Sequence, residues 1–89
     1  MALTPIRFTG EPGIQRAAKI VGLVFRHGAD KYPPGNWRNV SSDDHLAAAL
    51  RHIERHRAGQ TRDPESHAPH LAHAAARVLL ALAHLCPVD

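Results

Sequence analysis

The residues of this sequence best suited to chemistry are its histidines. Eight stand among 89 residues, and six of them, His45, His52, His56, His67, His70 and His73, fall between positions 45 and 73. Imidazole titrates near neutrality, ligates divalent metals and relays protons. His52 and His56 are four apart and His70 and His73 are three apart, and both spacings stack two side chains on one helical face. Asp63 and Glu65 lie between the pairs. Candidate metal ligands are therefore His52, His56, Asp63, Glu65, His70 and His73. Imidazole with carboxylate suits a divalent ion such as zinc, manganese or magnesium. An ion so held could activate water for attack on phosphorus. The competing reading has His70 and His73 hydrogen-bonding to the 59–66 loop and holding it, or the histidines simply solvated.

A second set of residues suits a phosphate-bearing ligand. Arg guanidinium forks grip phosphate oxygens and Lys supplies a point charge, which singles out Lys31, Arg38, Arg51 and Arg55. The only Trp and the only Tyr, Trp37 and Tyr32, stand in one loop beside Asn36. An aromatic ring can stack on a base and an amide can read its edge.

Three helices must position these groups. Pro12 suits a first helical position, Ile14, Ala17, Ala18, Val21, Val24 and Phe25 follow at helical spacing, and Gly28 offers a stop, so the first helix is expected over 12–27. Residues 29–41, ADKYPPGNWRNVS, hold two prolines and a glycine and read as an irregular loop. Ser41, Ser42 or Asp43 can cap a second helix over 43–58, ended by Gly59. Its apolar stripe is Leu46, Leu50 and Ile53 with the stem of Arg57, and His45, Ala49, His52 and His56 form a second stripe beside it. After the loop GQTRDPES, Ser66 or Asp63 can cap a third helix over 67–85. Its expected core stripe is Leu71, Ala75, Val78, Leu82 and Leu85, with His70, His73, Arg77 and His84 alongside. If the apolar stripes pack together, the histidine stripes can converge at the rim of the interface. Spacing alone leaves the convergence open. The lead-in, residues 1–11, reads as irregular.

Composition sets the remaining bounds. A chain of this length forms one small all-α domain, here residues 1–89, and its alanine-rich core predicts association into a homo-oligomer through helices. Eleven Lys and Arg against eight Asp and Glu, with a pI of about 9.8, fit a phosphate-bearing partner. No basic run marks a nucleic-acid arm. No apolar run is long enough to span a membrane and no signal peptide is visible, so a cytoplasmic place is expected. Cys86 is alone, excludes an internal disulfide, and reads as a buried, inert thiol. The sequence holds no GxxxxGK[ST] loop, GxSxG elbow, HExxH, CxxC or EF-hand.

The strings HGADKYPPGNWR at 27–38 and LRHIERHRAGQTRDPESHAPHLAHAA at 50–75, with IRF at 6–8, resemble a phage-associated family of dATP/dGTP diphosphohydrolase N-terminal domains. The family pattern runs GAxKYxxxNWR, then RH within a helix, then GExxDxESGxxHLxHA. Gly28, Ala29, Lys31, Tyr32, Asn36, Trp37, Arg38, Arg51, His52, Gly59, Asp63, Glu65, Ser66, His70, Leu71, His73 and Ala74 match it. Gln60 replaces a glutamate and His67 replaces a glycine. Longer relatives continue into a MazG-like domain whose ExxE and ExxD helices hold magnesium, and neither motif occurs here. The resemblance implies purine nucleotides in phage biology.

Three functions compete. The first is hydrolysis of a purine deoxynucleoside triphosphate to monophosphate and pyrophosphate. Glu65 and His70 are its expected catalytic residues, His52, Asp63, His70 and His73 its metal ligands, and Lys31, Tyr32, Asn36, Trp37, Arg38 and Arg51 its nucleotide-binding set. The second is a binding protein without chemistry that sequesters a nucleotide, acting against host nucleotide signalling in the bacterial cytoplasm. The third, an adaptor for nucleic acid or protein, has least in its favour.

Overall fold

The computed structural model describes residues 11–86, so the expected lead-in lies outside the described residues up to Gly10. These residues form three helices and one short 3-10 segment: α1 (Pro12–Lys31), the 3-10 turn Asn36–Asn39, α2 (Ser42–Arg57) and α3 (His70–Ala83). The all-α class is as expected. α3 packs against both other helices and is the shared wall of the domain.

Local chemistry sets the ends of the helices. The Glu11 carboxylate accepts the Gly13 N–H at 2.9 Å, and Pro12 begins α1 where its missing N–H costs nothing. The helix does not stop near Gly28. The Tyr32 N–H reaches Gly28 O at 2.9 Å, and α1 ends only where Pro33 forces the preceding residue out of the helical region, with Tyr32 extended at φ −126° and ψ 153°. Ser41 caps α2 by accepting the Asp44 N–H at 3.1 Å. Asp43 and Asp44 sit in its first turn, and Arg55, His56 and Arg57 in its last, each complementing the helix dipole. Gly59 follows in the left-handed region, φ 99°, as its sequence position predicts.

The third helix begins three residues later than expected. His67 takes φ 63°, a left-handed conformation that no α-helix admits, and Pro69 precedes the first helical residue. Ser66 and Asp63 therefore do not cap α3: Asp63 bonds within its own loop, and Ser66 bonds there and to the His73 side chain. The 29–41 segment is also more ordered than expected. Its first residues continue α1, and Gly35 at φ 75° starts the 3-10 turn that carries Trp37.

The largest correction concerns which faces meet. Leu46, Leu50, Leu71, Val78, Leu82 and Leu85, expected in the core, are exposed, Leu50 to 59% and Leu82 to 53%. Ala75 is exposed too. The buried set is His45, Ala48 and Ala49 on α2, with His70, Ala72, Ala74, Ala76 and Ala81 on α3. Alanine faces let two backbones approach closely, which branched side chains would prevent. The imidazoles between them are tolerated because each finds a hydrogen-bond partner. α1 buries no residue completely, and only Val21 and Val24 of its apolar stripe are half-buried. Cys86 is exposed rather than buried. No helix among the described residues is long and apolar enough to cross a membrane.

Candidate functional site

The α2–α3 interface is a chain of histidines, and hydrogen-bond chemistry orients each ring. His70 is fully buried, 0% exposed, and its Nε2 lies 3.0 Å from Gln60 Oε1. An amide oxygen only accepts, so His70 Nε2 carries the proton and its Nδ1 is bare. That bare nitrogen lies 2.8 Å from His52 Nδ1, which must then donate. The remaining nitrogen of His52, Nε2, is left with its lone pair. His73 stacks on His52 with ring centroids 4.7 Å apart and planes 13° from parallel. Burial pushes the His52 imidazole down to about 4, with the charges of His73 and His70 acting in the same direction. His73 is lowered as well, by burial first and against the pull of Asp63.

The 59–69 loop turns back on itself to bring its polar groups to this line. Asp63 N–H donates to Ala68 O and His67 N–H to Asp63 O, both at 2.8 Å, and His70 N–H donates to Thr61 O at 2.8 Å. The Asp63 carboxylate accepts the Ser66 N–H at 2.9 Å and the Glu65 N–H at 3.1 Å. Burial raises the Asp63 carboxyl, but these bonds, the Ser66 hydroxyl and nearby His73 outweigh it and hold it below the usual carboxylate range. Ser66 Oγ lies 2.6 Å from His73 Nε2. Across the mouth of the site, Lys31 at the end of α1 pairs with Glu65. The bond raises the ammonium and lowers the carboxyl.

The Trp37 turn is fastened to the helices by two further histidines. His45, 1% exposed, donates from Nε2 to Trp37 O at 2.9 Å, and His84 donates from Nε2 to Val40 O at 2.9 Å. The Trp37 ring meets His84 edge-on, centroids 5.1 Å apart. The Arg38 guanidinium covers the ring at 4.7 Å.

Between these parts lies a cleft of about 590 Å³, walled by all three helices and both loops. That volume suits a small organic ligand. Of the residues singled out in the sequence, Lys31, Tyr32, Asn36, Trp37, Arg51, His52, Arg55, Asp63, Glu65 and His73 face it. Arg38 and His70 do not: Arg38 lies over Trp37 and His70 stands behind His52. His56 also stands apart, its buried Nδ1 without a partner among the described residues. His52, Asp63 and His70 each offer a ligand atom within 4.8 Å of the others. Two imidazoles and a carboxylate are a donor set that zinc or manganese accepts. An ion there would have to replace the His52–His70 hydrogen bond. Glu65 and His73 fall outside this group.

Sequence reasoning missed His45 as a fastening residue and Arg77 as a wall of the cleft. The available signal was their registry: on α2, His45, Ala48, Ala49, His52 and His56 form one continuous stripe about 100° per residue round the helix. On α3, His70, His73 and Arg77 face it.

A small all-helical domain whose cleft is lined by cations, aromatic rings and histidines defines the class. A sequence model of one family, described as dATP/dGTP diphosphohydrolase, N-terminal, matches residues 13–87. The chain belongs to that family. No curated protein and no solved structure matches it.

Proposed function

We propose that the cleft binds the phosphate end of a purine nucleotide and holds it without altering it. The observation that carries this reading is the convergence of Lys31, Arg51 and Arg55 with Tyr32 and Trp37 around one cleft of nucleotide size. Arg51 and Arg55, with Lys31 on leaving Glu65, would take phosphate oxygens, Tyr32 or Trp37 would lie against the base, and Asn36 would meet its edge. Arg38 contributes by stacking on Trp37. Glu65 and His70, which hydrolysis would need, are already engaged, and so is one carboxylate oxygen of Asp63. Asp63 accepts two backbone N–H groups, Glu65 is tied to Lys31, and His70 bonds to His52 and Gln60. In a phage-infected bacterial cytoplasm, such a protein would lower the free concentration of a host signalling nucleotide.

A second reading is favoured by the His52, Asp63 and His70 grouping. In it, water adds to the α-phosphorus of a purine deoxynucleoside triphosphate, the bond to the bridging oxygen breaks, and monophosphate and pyrophosphate leave. The proton of the water would go to a carboxylate, Glu65, because His52 would be occupied as a ligand. A divalent ion on those three residues would supply positive charge for the water and the leaving group. His73 would support His52 by stacking, and Glu65 could serve as base only after Lys31 releases it.

One experiment separates the readings. The purified protein is incubated with a panel of ribo-, deoxyribo- and cyclic nucleotides, with and without manganese, then filtered, and both fractions are chromatographed. Intact nucleotide retained at a fixed ratio to protein is the expected result. Monophosphate and pyrophosphate in excess of protein would establish hydrolysis instead.

The exposed stripe on α3 supports a further proposal, that copies of the chain associate. Leu71, Ala75, Val78, Leu82 and Leu85 repeat at alternating spacings of four and three, as a helix–helix seam does, and no charged residue interrupts the stripe. Leu46, Leu50 and Ile53 repeat the pattern on α2. A second copy carries the same two seams, and they are self-complementary.

A further inference from the structure

We infer that Arg77 is the anchoring cation of the cleft, and that it links a bound phosphate to Trp37 through His45. The inference rests on the proposed binding of phosphate in this cleft. Arg77 is half-buried on α3, lines the cleft, and makes no ion pair among the described residues. A guanidinium partly withdrawn from water and paired with no carboxylate keeps donors that face the cleft, so an anion is the fitting partner. Arg51 and Arg55 line the same cleft and are likewise unpaired among the described residues, but both are exposed. Water already answers them, and Arg77 is the cation that gains most from a ligand.

The hydrogen bond that Arg77 does make is informative. Its Nη1 lies 3.1 Å from His45 Nδ1. Guanidinium only donates, so His45 Nδ1 must be bare and the ring proton must sit on Nε2. That is the nitrogen 2.9 Å from Trp37 O. Arg77 thereby fixes the tautomer with which His45 holds the 3-10 turn. An oxyanion that draws Nη1 toward itself alters the bond to His45, and the change reaches the only Trp in the protein. Arg77 is the binding residue in this arrangement and His45 a positioning residue.

The probe is inorganic tripolyphosphate, which does not absorb where Trp37 is excited. Calorimetry gives its affinity and Trp37 emission gives the response of the turn. The unaltered protein should bind it with a change in emission. Arg77→Gln should weaken binding about tenfold or more, the loss expected for a charged hydrogen bond. His45→Asn keeps an acceptor near the Nδ1 position but cannot reach Trp37 O. It should bind within about threefold of the unaltered protein while losing the emission change, a split that a merely structural role would not give. If Arg77→Gln fails to fold, Arg77→Lys replaces it: charge is kept, the Nη1 bond to His45 is lost, and the emission change should disappear. Unaltered affinity in Arg77→Gln, or a full emission change in His45→Asn, would overturn the inference. No binding of tripolyphosphate by the unaltered protein would overturn it as well, whereas the nucleotide panel decides the parent reading separately.

Discussion

At the scale of single residues, the site is governed by which nitrogen carries which proton. Gln60 sets His70, His70 sets His52, and Arg77 sets His45, each by offering only one kind of hydrogen-bond group. His52 is held neutral first by burial, and then because a proton added to it would face His73, His70 and the Arg55 guanidinium, with Asp63 alone opposing. This has a consequence for stability. His52 titrates at about 4 when folded, against about 6.5 when unfolded. Between those values the unfolded chain binds a proton that the folded chain does not. Stability is therefore complete above pH 6.5 and is lost as pH falls toward 4, and lowered His73 acts with the same sign. The urea midpoint should be lower at pH 5 than at pH 7.5, and imidazole NMR should find His52 still neutral at pH 5.5. A His52 resonance titrating near 6.5 would sink the argument. The departure of His67 from the family glycine also belongs to this scale. The position needs φ 63°, where glycine is at ease and a side chain is strained.

At the scale of elements, the packing of α2 on α3 reverses the usual partition of helix faces. Alanines and histidines face inward, and leucines face outward. The small side chains account for it: Ala49 on α2 and Ala74 on α3 are both buried, and alanine faces allow an approach that leucine would obstruct. Lengthening an inward alanine should thus do more harm than shortening an outward leucine. Ala49→Leu should destabilise the domain by about 1–3 kcal/mol, the usual cost of overpacking. Leu50→Ala, measured at low protein concentration, should change stability by less than about 0.5 kcal/mol, as at other surface positions. Denaturant unfolding of the two variants gives the comparison. The opposite order would restore the leucine stripe to the core.

At the scale of the whole molecule, the outward leucines are the feature to explain. A domain this small buries little apolar surface, and among the described residues the completely buried apolar ones are all alanine. The seam on α3 would be covered by a second copy, which would add the apolar burial that one copy lacks. Sedimentation at tens of micromolar should show a dimer or larger species. Leu82→Glu, in the middle of the seam, should give a monomer with unchanged helix content. A monomeric unaltered protein at that concentration would remove the proposal.

Much of the local structure was decided by the sequence alone. Ser41 as a cap, Pro12 as a helix start and Gly59 as a stop follow from groups within four residues of one another, so no tertiary knowledge was needed. The composition of the cleft was also legible, because Lys31, Tyr32, Asn36, Trp37 and Arg51 stand in short strings with evident chemistry. Three matters belonged to the tertiary structure. The end of α1 depended on Pro33 prevailing over Gly28, and the start of α3 on a loop in which Asp63 and Ser66 bond to their own neighbours. The choice of inward face depended on how closely two helices could approach. Periodicity gives two stripes on each helix, and hydrophobicity favours the leucines. Only the pairing of His52 with His70 and of His45 with Arg77, among buried alanines, makes the other face the one that packs, and those partners lie 18 or more residues apart.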